Sequence, residues 1–458
     1  MPTPSHTRPS PNRRPLTVGL TAAVAATLVV GACGSDATSP RARSGGAKGS
    51  ATTPVTLVTA PRSDRVDLAK PVFSDPTSIT NARFPISEVT QMIQLGTETG
   101  KPLRVEASLL PETRTINWNG QDVEAVVSQF IAYLDGRVVE VATDFFAQAD
   151  DGAVWYLGED VTNYEDGVVK DHEGTWLDGK DGPAGMIMPA DPRKGDVYRP
   201  ENVPGFVFEE VTVKAVDVTV EGPRGPVPGA VEVEELLMDG TREAKTFAPG
   251  YGEFSARTED EEIKVALAVP VDGLPGATPP ELLSLSKGAG KIFAEGASES
   301  WDEAAATLAT MTSAAETFLA GEVPERLTTQ LREAVDTLAA AVEAEDPAQV
   351  RSAAVVVDRA AADLRLRYEP LEAIDAARLA AWSRQLIVDA EADDTAGVAG
   401  DVVVLDTIWA RTGHTVDPSA AADIEAYLKD LRTAVEADDL AAAARAASDL
   451  AGSAAASG

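Results

Sequence analysis

Carboxylates are the residues with which this chain is best equipped to do chemistry. Its 458 residues hold 73 Asp and Glu against 39 Lys and Arg, 3 His and 1 Cys, for a formal net charge of −34. Four acids, Asp144, Glu159, Asp160 and Glu243, fall in segments of β character, where neighbouring strands could gather them. Gathered carboxylates hold a hard divalent cation such as calcium, or act as an acid/base pair in hydrolysis. The competing reading is that they flank turns or face water, one of them paired with Lys245. Asp178-Gly179-Lys180-Asp181-Gly182 lacks the alternating acids and closing Glu of a calcium loop and reads as a turn. His172 and His414 stand far apart in the chain, and no Gly-x-Ser-x-Gly elbow accompanies either as the base of a serine hydrolase. Neither a phosphate-binding P-loop nor a Gly-x-Gly-x-x-Gly turn is present, so no nucleotide cofactor is expected. Trp301, Trp382 and Trp409 recur in helical segments and read as core. Asp358, Asp363, Asp375 and Asp406 stand inside predicted helices with Arg359, Arg365, Arg367 and Arg378 nearby, which predicts structural ion pairs or, alternatively, a carboxylate-lined metal site. No residue is assigned a catalytic or cofactor-binding role.

The elements that must position these groups fall into an α+β organisation of two domains. Residues 71–272 read as an antiparallel β-meander, a curved sheet or half-barrel. Asp135-Gly136, Asp151-Gly152, Asp166-Gly167 and Asp239-Gly240 are turn signals. The predicted strands are Val126–Leu134, Val138–Gln148, Val154–Tyr164, Phe206–Val220, Ala230–Met238, Arg242–Ala248 and Ile263–Val269, rich in β-branched and aromatic residues. Lys180–Gly205, heavy in Gly and Pro, reads as a long ordered loop. Residues 273–299 read as a linker. Residues 300–458 read as an all-α bundle of about six helices in hairpins, with Leu371, Ile374, Trp382 and Leu386 as a buried stripe. Ala344-Glu345-Asp346-Pro347-Ala348 recurs as Ala392-Asp393-Asp394-Thr395-Ala396 and Ala437-Asp438-Asp439-Leu440-Ala441. Each copy is expected to end one helix and cap the next.

Before these domains stands an export signal. Arg13 and Arg14 precede the apolar run Leu16–Val30, which falls short of the ~20 residues that span a bilayer. Val30-Gly31-Ala32-Cys33 follows and resembles the lipobox of bacterial lipoproteins. The resemblance implies a signal peptide over residues 1–32, a diacylglyceryl group on the Cys33 sulfur and cleavage just before it. Residues 33–70 then read as a flexible tether, rich in Ser, Gly, Ala and Thr at its start. The twin Arg leaves the general and twin-arginine export routes both open. Further on, Asp144-Phe145-Phe146-Ala147-Gln148, Gly152–Glu159 and Glu243–Gly252 resemble a group of exported bacterial β proteins without assigned activity, over about residues 70–260. Those proteins usually carry Asp directly after the Gln, where this chain has Ala149 and then Asp150.

The strong negative charge repels phosphate backbones and excludes nucleic acid as a partner. It also repels anionic headgroups, so attachment to the bilayer falls to the lipid on Cys33. The expectation is a lipoprotein on the outer face of the cell membrane, binding a small ligand or protein partner without chemistry. Handling of a divalent metal or a lipid, and carboxylate-dependent hydrolysis, stand as alternatives. Cys33→Ser should shift the protein from the membrane to the soluble fraction of its native cell and abolish incorporation of labelled palmitate; persistent membrane association would overturn the anchor.

Overall fold

The computed structural model describes residues 57–203 and 205–457. The expected signal, Cys33 and the start of the tether lie outside them. The first strands are β1 (Gln91–Glu98), β2 (Lys101–Trp118), β3 (Gln121–Leu134), β4 (Arg137–Gln148), β5 (Val154–Glu165) and β6 (Val168–Asp171). Short strands β7 (Trp176–Leu177), β8 (Gly185–Met188), β9 (Val197–Tyr198) and β10 (Asn202–Val203) follow. Then come β11 (Val207–Gly222), β12 (Gly225–Leu237), β13 (Arg242–Ala248), β14 (Gly252–Arg257) and β15 (Glu261–Val269). All join one antiparallel sheet in which β15 pairs with β1.

Two-residue turns set its registers. Thr99-Gly100, Asn119-Gly120, Asp135-Gly136 and Asp166-Gly167 place both residues at positive φ, as a tight right-twisting hairpin requires. Of the expected turn signals, Asp151-Gly152 and Asp239-Gly240 put only the glycine there. The sheet coils until its ends meet: β8 pairs with β5, β9 with β11, and the Met186 N–H donates to the Arg199 carbonyl at 3.0 Å. Lys180–Gly205 is therefore not simply a loop. Its short strands close the ring. Residues 57–70, expected as tether, in part pack on this closure. The Val66 N–H donates to the Val197 carbonyl, and Asp67 accepts from the Arg199 N–H and pairs with Arg65.

Eight helices follow among the described residues: α1 (Pro280–Ala297), α2 (Trp301–Leu319), α3 (Glu325–Glu343), α4 (Pro347–Arg365), α5 (Leu371–Glu391), α6 (Thr395–Thr412), α7 (Pro418–Glu436) and α8 (Leu440–Ser457). The expected linker 273–299 thus carries a whole helix, and eight replace the six expected. Leu282, Leu285, Ala289 and Ile292 supply its buried face at helical spacing. Each short tip repeats one geometry. Glu299, Glu345, Asp393 and Asp438 sit at positive φ. The next N–H closes back on the carbonyl five residues earlier, as from Asp346 to Ala341 and from Asp439 to Ala434. This is the Schellman closure, with an acid where glycine is usual. Asp346, Asp394 and Asp439 then cap the following helix by accepting from the N–H of Gln349, Gly397 and Ala442. The fourth tip, Ser298-Glu299-Ser300, shares the backbone but not the Asp. Contacts of α1 with α4 and of α5 with α8 close the hairpins into two four-helix groups.

Sheet and helices share their cores. Ile93, Leu267 and Val269 pack among α1–α4, while Ile131, Tyr133 and Val138 pack among α5–α8. Tyr133 stacks on Trp382 at 5.6 Å, and the Arg359 guanidinium lies 3.9 Å over the same indole. Between the two groups runs a buried ionic network of three Arg and three acids. Arg104 of β2 makes paired hydrogen bonds to Glu106 and to Asp363 of α4. Arg411 of α6 grips Asp375 of α5 at 2.7 and 2.8 Å and reaches Gln129 at 3.2 Å. Arg378 bridges Gln91, Asp375 and Asp363. Burial pushes the Glu106 carboxyl up, but the charges of Arg378, Arg104 and Arg411 overcome it and hold that group ionised. The predicted helix acids do form ion pairs, but of the expected partners only Arg378 takes part; Arg384 holds Asp358, Arg104 holds Asp363, Arg411 holds Asp375 and Arg432 holds Asp406. Arg411→Leu should cost about 3–5 kcal/mol in urea denaturation, because Asp375 loses its paired bonds and keeps only Arg378 at 3.2 Å, and the buried network is left with a negative charge in excess. The double variant Arg411→Leu with Asp375→Leu should recover much of that loss; additive losses would show that the pair is not coupled.

Candidate functional site

Alternation along the strands gives the sheet two faces. Arg104, Glu106, Gln129, Ile131 and Tyr133 look outward to the helices. Their neighbours Val105, Ala107, Ser128 and Phe130 look inward and line a cavity of about 130 Å³. Phe84, Pro85, Ile86 and Val89, which precede β1, form another wall, and Phe146, Tyr156, Tyr251, Asp144, Lys245 and Glu253 complete much of the rest. Phe146 stacks on Tyr156 at 4.8 Å and meets Phe84 edge-on at 4.9 Å, so these walls are braced by ring contacts.

Around this cavity the interior is acidic. Asp144 of β4 stands opposite Glu159 of β5 and accepts a hydrogen bond from the Tyr156 hydroxyl at 2.8 Å. Glu159 and Glu201 lie close enough that the charge of Glu159 helps raise Glu201, and Glu201 accepts from the Trp176 indole N–H at 2.8 Å. Lys245 places its ammonium 2.7 Å from Glu235, 3.4 Å from Glu243 and 3.5 Å from Glu253. Glu209 lies close enough to feel Glu235, Glu201 and Lys245, yet neither of its carboxyl oxygens has a hydrogen-bond partner among the described residues. Lys245 thus touches three of these carboxyls, and the others have no cation in contact among the described residues.

Burial and crowding keep several of them protonated. Burial raises Asp144 to about 7, the Tyr156 hydrogen bond pulls the other way, and the charge of Glu253 adds to the rise. Burial raises Glu243 to about 8 against the pull of Lys245, aided by Glu235 and Glu253. Glu159, Glu201 and Glu209 are pushed well above the carboxylate range, first by burial and then by neighbouring acids.

Of the four expected metal candidates, Asp144, Glu159 and Glu243 face this interior, but only Asp144 lines the cavity. Asp160 points to the opposite face, one residue out of phase with Glu159, and pairs with Arg114 at 2.5 Å. Among the described residues no group of three or more His, Cys, Asp or Glu is disposed to hold a metal ion. Asp178 accepts from the Ala184 N–H inside a turn, as expected. His172 donates from Nδ1 to the Val161 carbonyl at 2.8 Å. His414 lines a wider groove of about 660 Å³ at the seam between sheet and helices, with Leu109, Leu274 and Leu371. Trp301 packs in one helical core and Trp382 and Trp409 in the other.

Sequence reasoning missed Ser128, Glu201, Glu209, Glu235 and Glu253, and Lys245 as the hub. A signal for three of them was present: acids and a lysine occupy the buried phase of strands, as in Glu209-x-Val211-x-Val213, Val231-x-Val233-x-Glu235 and Glu243-x-Lys245-x-Phe247. No family model matches the chain, and no curated protein matches it. Among the described residues no helix is long and apolar enough to cross a membrane.

The raised carboxyls set a pH dependence. The unfolded chain releases these protons near the ordinary values of 3.8 and 4.5, whereas the folded protein holds them to about 7 at Asp144 and about 8 at Glu243. The stability they contribute is fully present below the unfolded values and is lost as pH rises through the folded ones. Urea midpoints should therefore fall from pH 5 to pH 8.5, and Asp144→Asn should flatten part of that fall. A midpoint that rises over this range would contradict the assignment.

Proposed function

We propose that this chain is an exported lipoprotein, attached through acylated Cys33 to the outer face of the membrane, that binds a small ligand inside its β-ring without transforming it. The cavity carries this reading. A ring interior otherwise filled by side chains such as Trp176, Tyr198 and Phe247 keeps about 130 Å³ open, between rings on one side and Asp144, Ser128 and Gln94 on the other. Apolar walls with a few convergent polar groups are the usual make-up of a ligand site. Hydrolysis by an acid/base pair has less support, because Glu159, the strand partner of Asp144, does not line the cavity. Calcium handling by Asp144 and Glu243 meets a similar obstacle, since Glu243 is engaged by Lys245.

Ala107 lines the cavity, so Ala107→Leu extends a side chain into it while leaving every interior charge in place. Full-length protein taken from its native membranes should carry a small molecule in native mass spectrometry, and Ala107→Leu should lose at least tenfold of it. The reading fails if wild type and variant both appear at the bare protein mass.

A further inference from the structure

We infer that the cavity takes a small organic cation, a protonated amine on a short apolar body. This rests on the cavity being a ligand site and names the ligand class. Two acceptors point the same way. Ser128 is 2% exposed, and its hydroxyl has no hydrogen-bond partner among the described residues although it lines the cavity. Asp144 stands opposite it across β3 and β4. One of its carboxyl oxygens accepts from Tyr156, and no donor reaches the other among the described residues. An ammonium group has three N–H donors and satisfies both.

Charge argues for the same class. The cation at the cavity, Lys245, has Glu235, Glu243 and Glu253 around its three N–H donors and offers nothing to an anion. Asp144 and Glu253 on the wall disfavour a carboxylate or phosphate and attract a positive head. Phe130, Phe146, Tyr156 and Tyr251 also line the space, and aromatic rings favour a cation while excluding water from its apolar body. In size the space is close to the ~150 Å³ cavity that holds a benzene ring. A molecule of about six heavy atoms fits that limit.

The test pairs 3-methylbutylamine with 3-methyl-1-butanol, which matches it in shape and lacks the charge. Calorimetric titration of the full-length protein at pH 8, above the value at Asp144, should show the amine binding at least tenfold tighter than the alcohol. Asp144→Asn keeps an acceptor for Tyr156 and should reduce the amine to the affinity of the alcohol. Ser128→Ala, which removes one acceptor and no charge, should weaken the amine by a smaller factor and spare the alcohol. Equal binding of amine and alcohol, both lost in Ala107→Leu, would overturn the cationic class and leave the ligand site standing. Amine binding that survives Ala107→Leu would place the amine elsewhere and overturn the inference. No binding of either probe to the wild type would overturn it as well, while the molecule carried from native membranes would still decide the broader reading.

Discussion

Six charges buried between sheet and helices govern the shape of this molecule. Arg104, Arg378 and Arg411 are matched by Glu106, Asp363 and Asp375, so the set is neutral, and Gln91 and Gln129 take up further hydrogen bonds. Removing charge from water costs several kcal/mol per ion, which only such close mutual pairing offsets. The network leaves the sheet little freedom to slide over the helices, because Arg–carboxylate forks tolerate little change in angle or distance. Apolar contacts on either side, through Ile93 to one helical group and Tyr133 to the other, supply attraction without that directional demand.

The inner face follows the opposite rule. There the charges do not balance: one lysine stands among many acids, and neutrality is approached by keeping protons. A neutral, rigid outer seam and an acidic inner space lie on two sides of the same strands, one residue out of phase. Arg104 and Glu106 serve the seam, while Val105 and Ala107, alternating with them, serve the cavity. The strand period of two lets one short sequence do both.

The same period explains what could be read from the chain beforehand. Helical tips were legible where Ala-Glu-Asp or Ala-Asp-Asp spelled a left-handed residue followed by a cap. The α1–α2 tip escaped because Ser300 stands at its cap position and makes no capping side-chain bond. Strands β3, β4, β5, β11, β12, β13 and β15 were legible from β-branched and aromatic residues. Strands β1 and β2 were not, because Gln91, Gln94, Arg104 and Glu106 look like surface residues until their partners on α4, α5 and β14 are in place. Asp144 was recognisable as chemistry in a strand. The rest of its surroundings needed the sheet to coil and bring β11–β14 round to face β4 and β5, a closure set by the short strands within 180–205.

The wall of the cavity is not uniform. Strand residues there are fixed by ladders on both sides, but Phe84, Pro85, Ile86 and Val89 belong to a stretch outside the sheet. Its backbone bonds are mostly local, from the Phe84 N–H to Asn81 and from Glu88 and Val89 to Pro85. Single ties join it to the ring: the Gly250 N–H donates to the Ala82 carbonyl, Arg83 to the Gly229 carbonyl, and Asn81 to the carbonyls of Gly152 and Pro189. One wall of the interior thus rests on side-chain packing and single ties, and the others on continuous ladders, so a substitution at Phe84 would disturb ring contacts without touching any strand pairing.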